Sequence, residues 1–477
     1  MFFDGDDAVR ACDHPTNKGD QPQGTFMHSR FFPDAFRLAV FFVTALFCLS
    51  PSRSAPAAEQ ATSQGYSTCK SWQKVVEGGS FIYPPVTRVS DPGTKDRPAY
   101  TGFWFFDGLQ FDETSRYALA MKVDFQKRDV MPSDRGEIGY IDLEDDKKWT
   151  KIGETTAWNW QQGCRLTWRG KSQEILWNDR SDDGTHFVCR AYDFRSGIRR
   201  TLPRPIYDVS RDGAFALTHD FQRMRHGGTN YVGIRDRYEG QVAPAEIGIE
   251  KMDMNDGRVE LLVSLKRMND IAFPSGYPGK TDLYFFREGW NPSGTRFIAF
   301  LKNADRPVNT SGWSISADGR DIRLFYMAPS HHAWVDEETI LEGHHFSTYK
   351  DDGSGKPRHV AEVDKRVNFD TNVLPDGKWF LLDTYPLDGY QHVLLYHRTS
   401  RLFVPLAKLK TPPQWGPFTA WISMPAPAGM DVRCALTPRK KVLDGKCIRF
   451  RLATSSTIRR TTHLTDDAIG PCQKTFR

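Results

Sequence analysis

Short apolar stretches recur along most of the chain, each entered through a polar turn carrying Asp, Ser or Gly and a basic residue. The unit is read at 111–121 (FDETSRYALAM), 168–177 (WRGKSQEILW), 210–218 (SRDGAFALT) and 291–300 (NPSGTRFIAF). It returns at 335–343 (VDEETILEG), 374–383 (LPDGKWFLLD) and 442–450 (VLDGKCIRF). Asp-Gly and Ser-Gly reach positive φ at little cost, so each unit predicts a hairpin joining two strands. A second hairpin follows most units, as in IGYIDLEDDKKWTKIG, HFVCRAYDFRSGIRRTL, IGIEKMDMNDGRVELLV and HVLLYHRTSRLFVPL, and 316–327 (SADGRDIRLFYM) is the outer hairpin of the fourth unit. Two hairpins make a four-stranded sheet, and several spacings fall near ~40 residues, the length of a propeller blade. The expectation is an all-β, seven-bladed β-propeller over 99–477, its ring closed by N- and C-terminal strands. The stretch 99–106 (AYTGFWFF) is expected to supply the closing strand. A pair of β-sandwiches is the rival. Long insertions fall near 122–137, 219–245 and 411–430, and connections of that length usually carry function or are disordered.

Composition narrows the class. With 39% hydrophobic residues and a mean hydropathy of −0.55, the chain is not a multi-span membrane protein, while 13 Trp can fill a large core. The formal charge of +5, with no block of five or more Lys/Arg, argues against a nucleic-acid partner. A monomer is expected.

The only long apolar run, 38–49 (LAVFFVTALFCL), is too short to span a bilayer, but it follows Arg30 and Arg37 and precedes Ala55-Pro56-Ala57. These are the parts of a secretory signal, so 1–57 is read as a signal-peptide region with translation starting at Met27. Residues 58–98 form an N-terminal extension, and a secreted or periplasmic location follows. Six cysteines remain in the mature chain. Cys434 with Cys447, Cys69 with Cys472, and then Cys164 with Cys189 are expected pairs, one of 15 possible connectivities.

Familiar catalytic motifs are absent. In 275–281 (SGYPGKT) Pro274 stands where the first glycine of a phosphate loop belongs, and 312–316 (GWSIS) lacks the second glycine of a nucleophile elbow. The innermost strand of each blade should precede its turn, and these positions are rich in polar groups able to converge at one mouth. His331 and His332 are adjacent, so only one can enter a channel. Either could be a general base or a hydrogen-bonded structural residue, and His344 and His345 could approach them. Gln161 and Gln162 could hydrogen-bond a sugar, as could Asn368 in 366–373 (RVNFDTNV). Arg287, Arg433 and Arg439 could hold a carboxylate. Arg223, Arg225, His226 and Tyr231 lie in a glycine-hinged insertion readable as a lid over an acidic ligand or as a solvated loop.

At 158–163 (WNWQQG), 202–213 (LPRPIYDVSRDG), 231–265, 374–386 (LPDGKWFLLDTYP) and 433–439 (RCALTPR) the chain resembles a group of secreted propellers. That group is similar to the oligogalacturonate-lyase, ulvan-lyase and TolB-like (WD40-like) propellers. The resemblance implies seven blades and, by analogy, lyases cleaving uronic-acid-containing glycans by β-elimination. His and Tyr would transfer protons, Arg would neutralise the uronate, and in some oligogalacturonate lyases His and Gln hold a divalent metal, which keeps Mn²⁺ or Ca²⁺ open as a cofactor. The chain departs from the group at Ala435, Thr437 and Lys440, and reads Tyr284-Phe285-Phe286-Arg287-Glu288 where a His-rich strand is expected. The candidates are His331 or His332 as base, Tyr231 or Tyr284 as acid, and Arg225, Arg287 or Arg433 on the carboxylate. An acidic oligo- or polysaccharide is the expected partner. A non-catalytic TolB-like propeller binding protein or glycan is the alternative; a shared point for His, Tyr and Arg would favour the enzyme.

Overall fold

A computed structural model describes residues 67–410, apart from 78–80, 85–88, 92, 95, 104, 126–127, 171, 225–228, 304–309 and 328–330. Within them are six four-stranded antiparallel sheets, each a meander of four consecutive strands. The turn units predicted at 111–121, 168–177, 210–218, 291–300, 335–343 and 374–383 all join the first two strands of a sheet. Gly213, Gly294 and Gly377 take the left-handed φ that these turns demand (+74°, +71° and +65°). The 316–327 hairpin is, as expected, the outer half of the fourth sheet. The architecture is that of a β-propeller. The seventh unit, 442–450, lies outside the described residues, as do the signal-peptide region, Arg433, Arg439 and the C-terminal cysteines.

The innermost strands are Tyr100–Gly102, Thr167–Trp168, Asp208–Val209, Tyr284–Trp290, His332–Trp334 and Phe369–Val373. Neighbouring residues of a strand point to opposite faces, and in this stacking each face meets another sheet. Ile175 therefore packs against the first blade beside Leu119 and Ile138, while Leu176 packs with Ala216 and Met252 of the third. Phe297 and Ile298 divide likewise between the third and fifth blades. Two buried faces explain why these strands read as unbroken apolar runs. Fully burying one such side chain stabilises by about 1.5–3 kcal/mol.

The N-terminal extension touches both ends of the series. Cys69 makes a two-bond bridge with Phe403 on the outermost strand of the sixth sheet, and helix α1 (Trp72–Glu77) sets Trp72 against Phe369 and Phe403. Val89 packs on Ala118, Ala120 and Ile141 of the first. The stretch 99–106 has a different place from the one its sequence suggested. Tyr100–Gly102 pairs with Tyr117–Val123 as the innermost strand of the first blade, a nearby hairpin partner being the cheaper one to reach. The cysteine pairing changes too: Cys164 and Cys189 are reduced and buried in separate clusters, one on the first seam and one on the second. Burial pushes both thiols up, Cys189 to about 12. No helix among the described residues is long and apolar enough to cross a membrane.

Candidate functional site

Hairpin geometry decides which side chains meet at the axis. The start of each innermost strand pairs with the end of the second strand, so Tyr284 faces Lys302 and Phe369 faces Thr384. Residues from both places therefore gather at one mouth. Phe105 and Phe106, just after the first innermost strand, reach the other blades there. Phe105 lies 5.2 Å from the Arg165 guanidinium and 5.3 Å from that of Arg287, and the Phe106 ring is 5.8 Å from His331. The Phe106 carbonyl accepts from Asn372 of the sixth blade.

His331 is buried between the fifth and sixth blades. Its Nδ1 lies 3.0 Å from Asn368 Oδ1 and its Nε2 3.1 Å from the Tyr385 hydroxyl; a proton on Nδ1, donated to Asn368, leaves the Nε2 lone pair to accept from the tyrosine. Asp370 Oδ1 is also 3.1 Å from Nε2. Burial, helped by the nearby Arg287 charge, holds the imidazole well below its usual pKa, so it is neutral near pH 7. Burial raises the Tyr385 hydroxyl well above the ordinary tyrosine value. His332 points the other way, onto Phe300 of the fourth blade at 4.9 Å, and burial beside Arg287 lowers it to about 3. Neither imidazole points into an open channel, because adjacent strand residues here address adjacent blades. His344 and His345 stack on each other, exposed, with their backbone N–H groups on Glu342.

Arg287 sits on a β-bulge, where it and Glu288 together oppose Ala299. Its φ is +58°, a left-handed conformation that costs an L-residue about 1–2 kcal/mol. Bulges of this kind re-aim side chains and gather beside functional sites. Arg287 is 5% exposed as a residue, its Nη1 is buried without a partner, and it makes no hydrogen bond or ion pair among the described residues. Its neighbours are the Phe105, Phe106 and Phe286 rings. Glu288 turns to the third blade and accepts from His219 Nδ1 at 2.8 Å, with Glu288 Oε2 and His219 Nε2 left without partners.

The remaining predicted residues are dispersed. Tyr231 is core: it stacks on Phe221 at 4.6 Å, and its hydroxyl accepts from Asn178. Its insertion is anchored through Arg223, so the lid reading fails for the described part; Arg225 and His226 lie outside the described residues. Tyr284 is buried in the fourth blade and its hydroxyl has no partner. Gln161 is buried, its backbone N–H on Asn159. Gln162 donates to the Tyr207 hydroxyl at 2.7 Å and borders a cleft of about 410 Å³, open to solvent, with Asp107, Arg165 and Asp208. Of the residues singled out in the sequence, His331 and Asn368 meet and Arg287 lies near them; Tyr385, Asp370, Lys302 and the His219–Glu288 pair had not been singled out. Tyr385 and His219 directly follow second strands, and Lys302 ends one, so hairpin register was the signal that could have found them. No group of three or more His, Cys, Asp or Glu among the described residues is placed to hold a metal.

No protein-family model matches the chain, and no curated protein matches it. Solved structures similar to it include TolB from Acinetobacter baumannii, 13% identical over 70% of this chain and 75% of that one, TM-score 0.35. An oligogalacturonate lyase in complex with manganese is 12% identical over 69% of this chain and 94% of that one, TM-score 0.34. The β-propeller domain of the Trilobed protease from Pyrococcus furiosus is 9% identical over 59% and 79%, TM-score 0.36.

Proposed function

We infer that this is a secreted or periplasmic propeller of seven blades acting on uronic-acid-containing glycans by β-elimination at the axis. The observation that carries this reading is Arg287, a buried cation with no ion-pair partner among the described residues, beside a neutral His331 that is hydrogen-bonded to Tyr385. A buried charge is normally paired, so the missing partner fits a ligand carboxylate. Binding that carboxylate makes the C5 proton easier to remove. His331 Nε2 takes the proton, the C5–H electrons form the C4–C5 double bond, and the C4–O bond breaks. The Tyr385 hydroxyl turns to protonate the leaving oxygen. The imidazolium, steadied by Asp370, then returns its proton to the phenolate, so both residues end as they began. Tyr385 replaces Tyr231 and Tyr284 as the acid.

Ultraviolet absorbance of the unsaturated uronate, followed over a panel of uronate glycans with and without Mn²⁺ or Ca²⁺, tests this. Turnover by the wild type, lost at least ~100-fold in His331→Gln and Tyr385→Phe, is expected. Undiminished turnover in both variants refutes the assignment. The second reading, a non-catalytic binding propeller, is favoured by the deep burial of His331, and glycan binding without absorbance change would select it.

A further inference from the structure

The flanks of the first three innermost strands border the solvent-open cleft of about 410 Å³. That is at the small end for a ligand pocket, about 300–1,000 Å³. Phe103, Phe105 and Asp107 follow the innermost strand of the first blade, Gln162 and Arg165 lead into that of the second, and Tyr207 leads into that of the third. Leu109, Leu166, Trp168 and Val209 add apolar wall.

Every side-chain nitrogen along this lining already donates within the chain. Arg165 Nε and Nη2 go to the Tyr207 carbonyl, and its Nη1 goes to Asp107 Oδ1 at 2.8 Å. Trp168 Nε1 goes to the Gln110 carbonyl at 3.1 Å, and Gln162 Nε2 to the Tyr207 hydroxyl at 2.7 Å. The acceptors are less fully engaged. Gln162 is 1% exposed, and its Oε1 is buried without a partner. Asp107 pairs through Oδ1; its Oδ2 accepts no hydrogen bond among the described residues, and the side chain is 27% exposed. Asp208, whose Oδ2 accepts from the Trp290 backbone N–H at 2.8 Å, is a second carboxylate on a lining that carries one guanidinium.

A cavity that offers acceptors and keeps its nitrogens engaged selects a ligand rich in donors. An ammonium has three N–H donors and no acceptor. A carboxylate oxygen gives it a charge-assisted bond, and aromatic walls favour a cation and pack its hydrocarbon. A carboxylate or polyol ligand would instead bring acceptors of its own to nitrogens that are already bonded. Folding by itself makes no use of a buried amide oxygen left unbonded.

We propose that the cleft between the first three blades is a binding site for a primary ammonium carried on an apolar body. Asp107 Oδ2 and Gln162 Oε1 are its acceptors, and Phe103 and Trp168 pack the body. The proposal goes beyond the reaction above and does not rest on it, because its ligand carries the opposite charge and neither acceptor belongs to that reaction. Phe105 is the common wall, bordering the cleft and lying 5.3 Å from the Arg287 guanidinium.

Calorimetric titration of the full chain at pH 7 and low salt with phenethylammonium and n-hexylammonium tests the site. Binding is expected for the wild type, weakening as salt is added. Phenethyl alcohol and the N,N,N-trimethylated phenethylammonium keep the body but lose the charge or the N–H donors, and each should bind at least tenfold more weakly. The carboxylate 3-phenylpropionate should not bind. Asp107→Asn keeps an oxygen for Arg165, Gln162→Met keeps the side-chain length, and each should lose at least tenfold in ammonium affinity with a melting temperature close to the wild type's. Should Asp107→Asn fail to fold, Gln162→Met and the probe series decide alone. No wild-type binding of either ammonium, equal binding of the alcohol or the trimethylated probe, binding of the carboxylate, or undiminished affinity in a folded variant would each overturn the proposal.

Discussion

Two buried arginines on neighbouring blades divide the molecule into what it needs to fold and what it holds in reserve. Arg223, in the insertion of the third blade, donates to the Leu283, Tyr238, Gln241 and Val242 carbonyls and to Asp236 Oδ2 at 2.9 Å. Arg287 on the fourth blade is comparably buried, and among the described residues it has three aromatic faces but no hydrogen bond or ion pair. The first charge is neutralised by the chain's own acceptors, which pin 221–242 to the propeller. The second is left for something that arrives. Burial alone therefore does not distinguish a structural from a functional cation. The accounting of its donors does.

The sharpest way to break this comparison is to apply one substitution to both. Arg223→Met takes the guanidinium from buried Asp236 and the donor from four carbonyls, so it should cost about 3–5 kcal/mol in denaturant unfolding. Arg287→Met removes a cation with no partner and should be neutral or stabilising by up to about 1–4 kcal/mol. Equal losses at both positions would mean that Arg287 has a counter-charge in the folded chain. A smaller contrast lies in the tyrosines. Tyr231→Phe gives up only the hydrogen bond from Asn178, about 1 kcal/mol, and should leave glycan turnover unchanged.

Proton linkage gives the finest test. Lys302 falls to about 7 in the folded protein from an ordinary 10.5, so the unfolded state binds more protons between those limits and stability should rise with pH across them. His332, lowered to about 3 from 6.5, contributes stability that is full above pH 6.5 and lost as pH falls toward 3. Midpoints of chemical unfolding across this range check both. Lys302→Met should flatten the alkaline limb alone, and His332→Phe should flatten the acid one.

Much of the fold was legible along the chain. Six of the seven turn units became first hairpins because their polar turns act locally, as Asp212-Gly213, Ser293-Gly294 and Asp376-Gly377 do, whatever surrounds them. The continuous apolar runs followed from strands buried on both faces. The site was legible only in part. Arg287 stands on an innermost strand and His331 and Asn368 directly precede two others, but Tyr385 was passed over for Tyr231 and Tyr284. Nothing in the residues near Tyr231 announces that Phe221 will stack on it and Asn178 will hold its hydroxyl.

What the sequence determined by itself was thus the blade, since a hairpin's register and turn are settled by residues a few positions apart. What only the tertiary structure decided was partnership at the axis. Phe106 meets Asn372 across 266 positions, His331 meets Tyr385 across 54, and Arg287 meets no acceptor among the described residues. Those outcomes depend on how six sheets pack around one line. A bulge at Arg287, with a left-handed φ in a non-glycine residue, is the kind of choice that packing imposes and local preference opposes.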